Sequence, residues 1–277
     1  MSTQQKPPPP PPRNGNGQTA TAAAPPSADR FAVVGGRIDS PQRVLLYGPG
    51  GIGKSTLAAL APNPVFLDIE GGTRELDVPR VEGIRDFADL RACLQSSALD
   101  DYGTVIIDSA TKAEELAIAH TIATVPHEKP GIKITSLENY GFGKGLSHAY
   151  DTFLHLLSDL DSQVRRGRHI ILIAHECIAD VPNPSGEDFI RFEPHLQSPK
   201  SGKASIRNRV VQWCDHVVFI GYDVASVDGK GKGAGGRTIY TSEMPDHIAK
   251  SRRVAIDQAF ESPTDGSLWA AILGGAS

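Results

Sequence analysis

Gly48-Pro49-Gly50-Gly51-Ile52-Gly53-Lys54-Ser55 is the stretch whose reading decides the fold of this chain. It spells G-x-x-x-x-G-K-S, a loop whose glycines let main-chain N–H groups close around a phosphate tail. Before it, Arg43-Val44-Leu45-Leu46-Tyr47 is a short apolar run of strand character, and after it Ser55-Thr56-Leu57-Ala58-Ala59-Leu60-Ala61 is made of helix formers. Strand, loop and helix thus come in the order that places an anion at a helix N-terminus, where the partial positive charge favours it. Lys54 offers a point charge to β- and γ-phosphates, and the Ser55 hydroxyl can enter the oxygen shell of Mg²⁺. The expectation is ATP with Mg²⁺, held by residues Gly48 through Thr56.

The totals bound what surrounds this loop. A chain of 277 residues accommodates one α/β domain with tails. Met1 to Asp29, with an unbroken proline run from Pro7 to Pro12, reads as a disordered tail, leaving residues 30–277 as a single domain. Twenty-eight Lys and Arg against 32 Asp and Glu give a formal charge of −4, so any nucleic-acid contact must come from local patches. Cys93, Cys177 and Cys214 are odd in number and widely spaced, which argues against a disulfide framework and a zinc site. No apolar run reaches the length of a membrane span and the N-terminus lacks a secretory layout, so a cytoplasmic protein is expected.

Three later stretches share one design. Val65-Phe66-Leu67-Asp68-Ile69-Glu70 is a strand ending in two carboxylates; Tyr102 to Ser109 is an apolar strand ending in Asp108; Arg168 to Glu176 is a buried strand ending in His175-Glu176. In an open parallel sheet, ligands sit beyond the C-terminal strand ends, so all three point polar residues at the crevice of the phosphate loop. Asp108 fits the acid that holds Mg²⁺ opposite Ser55. Between and after these strands, helices are expected over Phe87–Ser97, Ala113–Thr124 and Tyr140–Arg166. Residues Ala179 to Arg209 read as a loop-rich excursion with a hairpin around Phe189–Phe192, and Lys200, Lys203, Arg207 and Arg209 lie there without an acid from Pro199 onward. Asp215–Tyr222 and Arg237–Thr241 look like two late strands of a hairpin joined by the Gly- and Lys-rich turn Asp228–Gly236, and Leu268–Leu273 like an amphipathic segment that packs onto the sheet.

In this order the signals resemble a RecA-like P-loop ATPase core, and more narrowly the small ATPases encoded by bacteriophages, including the Sak-group single-strand annealing proteins. The resemblance implies a three-layer α/β fold with a mostly parallel central sheet. It makes Glu70 the catalytic carboxylate, Asp108 the Walker B acid and His175 a γ-phosphate sensor, and it likens Ala249-Lys250-Ser251-Arg252 to a finger in which Lys250 or Arg252 reaches a neighbour's nucleotide. It further implies a homo-oligomer, and ATP hydrolysis stimulated by assembly or by single-stranded DNA in phage-type recombination, annealing or replication. A single-strand-binding protein would be a further partner and a bacterial host cell the setting. A second reading, a nucleotide-gated assembly factor acting on a protein partner, predicts ATPase activity indifferent to DNA. A small-molecule kinase would need an arginine-rich lid that the sequence does not display.

Overall fold

In the computed structural model, the described residues are 33, 35, 36, 38–183, 186–200, 203–227, 230–254, 257–259 and 265–274. The chain divides into a first unit, Met1–Ile38, and a main unit, Asp39–Ser277, which carries the phosphate loop. The proline-rich tail lies outside the described residues.

Among the described residues of the main unit, nine strands and six helices carry the fold. β1 (Arg43–Tyr47) runs into the phosphate loop and α1 (Lys54–Ala58), followed by β2 (Pro64–Asp68), α2 (Phe87–Gln95), β3 (Thr104–Asp108), α3 (Ala110–Thr124), α4 (Lys144–Arg165) and β4 (His169–Ala174). Then come β5 (Glu176–Val181), β6 (Phe189–Pro194), α5 (Ile206–Trp213), β7 (His216–Val227), β8 (Lys230–Tyr240), β9 (Gln258–Ala259) and α6 (Ser267–Trp269), which continues helically to Gly274.

Seven strands form one sheet in the order β2-β3-β4-β1-β7-β8-β9. β2, β3, β4, β1 and β7 are parallel, and β8 and β9 are antiparallel additions. β4 lies between β1 and β3, with Leu45 opposite Leu172 and Ile107 opposite Leu172 on its other side. The end of β4 is therefore wedged between the phosphate loop and the end of β3.

Alternation along the strands builds two cores. Leu45 and Tyr47 of β1, Val105 and Ile107 of β3 and Val217 and Phe219 of β7 face α2, α3, α4 and α5, whereas Val44, Leu46, Ile106 and Val218 pack with α1 and the C-terminal segment. Strands apolar on both faces are what a parallel sheet covered by helices on both sides requires. Trp269 closes the second core, its indole N–H donating to the Leu57 carbonyl oxygen at 2.6 Å. The result is the expected three-layer α/β fold with a late β-hairpin.

Three elements depart from the sequence reading. The helix expected from Tyr140 begins at Lys144, after a short turn of helix over Leu137–Tyr140. In the excursion, β5 and β6 pair along their whole length, from Glu176 opposite Pro194 to Val181 opposite Phe189, and Ile206–Trp213 is a helix capped by the Ser205 hydroxyl, which accepts from the Asn208 N–H. The Asp228–Gly236 turn is mostly strand: pairing runs to Val227 opposite Lys230, and Asp228 and Gly229 lie outside the described residues.

Candidate active site at the phosphate loop

The cleft is assembled at the C-terminal edge of the parallel sheet. It encloses about 300 Å³ and is lined by Gly50, Gly51, Gly53, Lys54, Ser55 and Thr56 on one side and by Glu70, Asp108 and His175 on the other. Gly48 begins the loop at φ +154°, and a Cβ there would stand 2.3 Å from the Ile220 carbonyl oxygen of β7. Only glycine lets the loop leave β1 this close to its neighbour strand. Ile52 is fully buried in the core behind the loop, and Arg237 of β8 donates to its carbonyl oxygen at 2.6 Å.

Lys54 donates to the carbonyl oxygens of Gly48 and Pro49 at 2.8 and 2.7 Å. Burial pushes its pKa down, with Asp108, Glu176 and Glu70 pulling it back up. The Ser55 hydroxyl donates to Asp108 Oδ2 at 2.6 Å. Asp108 is almost fully buried, and desolvation pushes its carboxyl above the ordinary carboxylate value despite that hydrogen bond. A hydroxyl and a carboxylate side by side next to an anion-binding loop are hard oxygen donors of the kind Mg²⁺ uses, with the remaining shell left to phosphate and water. Among the described residues there is no cluster of three or more His, Cys, Asp and Glu that could hold a metal.

The two carboxylates of β2 have different tasks. Asp68 is consumed by the turn after the strand: its oxygens accept from the N–H groups of Gly71, Gly72 and Thr73 at 2.7, 3.0 and 2.9 Å and from the Thr73 hydroxyl at 2.5 Å. Burial raises its pKa, but the Thr73 hydroxyl and the backbone donors outweigh that and hold the carboxyl below its ordinary value. Glu70 stays at the cleft, where its Oε1 accepts from the Ser109 hydroxyl at 2.5 Å and lies 3.2 Å from His175 Nε2. His175 is in turn fixed through its backbone, whose N–H donates to Thr111 Oγ1 at 3.1 Å. That threonine donates to the His195 carbonyl oxygen at 3.2 Å, just past β6.

Lys54, Ser55, Glu70, Asp108 and His175 therefore come together as the strand-end argument expects. Ser109 and Thr111, which sequence reasoning passed over, hold the site from behind; their signal was position, directly after the acid that ends β3. Lys250 and Arg252 are not brought to this cleft. Lys250 exchanges backbone hydrogen bonds with Val217 at the start of β7, and Arg252 pairs with Asp215 at 3.1 Å, so both sit at the opposite end of the sheet. Of the basic cluster, Lys200, Lys203 and Arg209 are exposed. Arg207 corrects the reading: it turns inward onto the buried Glu193 and is not part of the exposed basic surface.

A phosphate loop between the first strand and first helix of a mostly parallel sheet, with Glu70, Asp108 and His175 gathered at the same strand ends, is the arrangement of a P-loop ATPase of the RecA and AAA type. A family model described as an AAA domain matches residues 40–253, and the chain belongs to that family. Among solved structures, a KaiC-like protein of the hyperthermophilic archaeon Pyrococcus horikoshii is similar, with 15% identity and a TM-score of 0.40 over 81% of this chain and 88% of that one. No curated protein matches.

Proposed function

We propose that this chain hydrolyses ATP at the Lys54–Glu70 cleft and couples turnover to single-stranded DNA, in recombination, annealing or replication. The observation that carries the hydrolytic part is Glu70: a carboxylate held by Ser109 and His175 at the mouth of the cleft that contains Lys54, Ser55 and Asp108. Glu70 orients and deprotonates the attacking water, and general-base catalysis of this kind contributes about 10² to 10⁴ in rate. Lys54 leaves the carbonyls of Gly48 and Pro49 for the phosphate oxygens, and the loop N–H groups stabilise the charge that develops on them. Ser55 and Asp108 would hold Mg²⁺, which supplies charge neutralisation between the phosphates.

Two substitutions test the hydrolytic part. Lys54→Ala removes nucleotide binding, read as loss of fluorescent-nucleotide affinity. Glu70→Gln retains affinity and lowers kcat by about a hundredfold or more; unchanged turnover in Glu70→Gln would remove the catalytic assignment.

The DNA part is supported by the exposed Lys200 and Lys203, which precede α5, and Arg209 within it. Exposed cations of this kind bind the backbone with a salt-dependent affinity. Replacing all three with Glu should abolish binding of a single-stranded oligonucleotide at low salt. Equal binding by the triple variant, or an ATPase rate indifferent to DNA, would favour action on a protein partner.

A further inference from the structure

A second cavity adjoins the phosphate loop on the side away from Glu70. It encloses about 390 Å³ and is walled by Phe192, Phe219, Tyr240 and His247, with Pro49 of the loop and Glu176 at its edge. The rings form one cluster: Phe219 stacks on Phe192, Tyr240 and His247 at centroid distances of 5.3, 5.7 and 5.3 Å. Gly221 also lines the cavity, and a Cβ there would meet Phe219 at 3.0 Å and Tyr240 at 3.3 Å, so its glycine keeps the rings undisturbed.

Two carboxylates, Asp246 and Glu176, line the cavity beside these rings. Asp246 is occupied by His247, whose Nδ1 lies 2.9 Å from it. Glu176 is not: its Oε2 is buried and accepts no hydrogen bond from the described residues. A buried carboxylate oxygen without a donor costs free energy comparable to a lost charged hydrogen bond, which a ligand carrying N–H groups would recover.

The hairpin separates this cavity from the basic surface. Paired residues of an antiparallel ladder share a face, so Glu176, Ile178, Asp180, Ile190, Phe192 and Pro194 form one side of β5–β6, with no basic residue among them. Ile178 and Ile190 are exposed, at 66% and 64%, and extend the apolar wall outward from the cavity. Arg191 and Arg207 meet Glu193 on the other side. Among the described residues this face of the hairpin offers a nucleic-acid backbone no cation, whereas aromatic faces beside a carboxylate oxygen that lacks a hydrogen-bond donor are the surroundings that attract an ammonium or guanidinium group.

We propose that this cavity binds a basic side chain of a protein partner: its ammonium or guanidinium head would meet Glu176 over the aromatic rings, and its neighbouring residues would lie along Ile178 and Ile190. The inference does not rest on the DNA reading or on ATP turnover.

The test is calorimetric titration of the full chain with acetyl-Gly-Arg-Gly-amide, its lysine counterpart and its neutral citrulline isostere. The arginine and lysine peptides should bind, citrulline should bind about tenfold more weakly, and Glu176→Gln should lose a similar factor for the cationic peptides. Glu176→Lys, which tethers an ammonium to the cavity edge, should abolish the titration, with unchanged thermal melting confirming that both variants fold. Sedimentation velocity separates the sources. Self-association that the arginine peptide and Glu176→Gln both disrupt identifies a second copy of this chain, and a monomer that still binds peptide identifies a different protein. Absence of saturable binding by the cationic peptides would overturn the proposal. So would equal affinity for citrulline, affinity unchanged in Glu176→Gln, or a single-stranded oligonucleotide that competes for the cavity.

Discussion

Glu114 on α3 offers a quantitative handle on the structure behind the active site. Its Oε1 accepts from the Gln197 N–H at 2.7 Å, one turn beyond the Thr111 contact to His195, so α3 grips the outgoing end of the β5–β6 hairpin at two points. Burial lifts the Glu114 carboxyl from 4.5 to about 7, with the Gln197 hydrogen bond opposing and nearby Glu115 adding to the rise. Because the folded value is the higher one, the stabilisation is complete below the unfolded value and is lost as the pH rises through the folded value. Stability therefore falls between 4.5 and about 7. At about 1.4 kcal/mol per tenfold change in proton affinity, the full loss is about 3 kcal/mol. Glu114→Gln keeps an acceptor for Gln197 and cannot ionise, so it should match the parent chain at about pH 4 and exceed it by about 3 kcal/mol at about pH 8. Urea unfolding at several pH values measures this directly. Parallel stability profiles for the two proteins would refute the reasoning, since they would mean that Glu114 is ionised in the folded chain at no cost.

Two further perturbations test the geometry. Gly48→Ala would drive a Cβ into the Ile220 carbonyl oxygen, and should cost about 1–3 kcal/mol of stability together with nucleotide affinity; unfolding and nucleotide titrations that both match the parent would contradict the close approach. Arg207→Ala leaves the buried Glu193 with Arg191 alone and should cost about 3 kcal/mol of unfolding free energy, read by denaturant titration, while single-stranded DNA affinity stays as in the parent chain. A variant that kept its stability and lost DNA affinity would return Arg207 to the basic surface.

What the sequence discloses and what it hides divide along a physical line. Residues at the C-terminal ends of parallel strands are placed by one fact, the strand direction, so Glu70, Asp108 and His175 could be assigned to one cleft before any contact was known. Asp68 stands just as close to a strand end, yet its oxygens go to Gly71, Gly72 and Thr73, and nothing in an Asp-x-Glu pair says which carboxylate closes the turn. α5 was hidden for another reason. Its apolar residues Ile206, Val210 and Trp213 have helical spacing over only two turns, and Arg207, Asn208 and Arg209 between them gave it the look of a basic loop. The inward turn of Arg207 depends on Glu193, buried on a different element, and no local pattern carries such a pairing.

The end of β4 joins the two cavities in a way that neither discloses alone. Because β4 lies between β1 and β3, the residues just after it must emerge beside the phosphate loop. Successive residues of extended chain send their side chains to opposite sides, and here His175 goes to the Glu70 cleft while Glu176 goes to the aromatic cavity. The dipeptide has little freedom to satisfy one side at the expense of the other. The His175 N–H is bound by Thr111, and its carbonyl oxygen accepts from the His195 N–H at 2.9 Å, so both feet of the hairpin are tied to one point on α3. A ligand that draws Glu176 toward the rings thus pulls on the residue that positions Glu70. Glu176 also attracts Lys54 electrostatically, and a cation bound at Glu176 weakens that attraction. Coupling between the two cavities, if measured, should appear as a change in nucleotide affinity on peptide binding, matched by an equal change in peptide affinity on nucleotide binding.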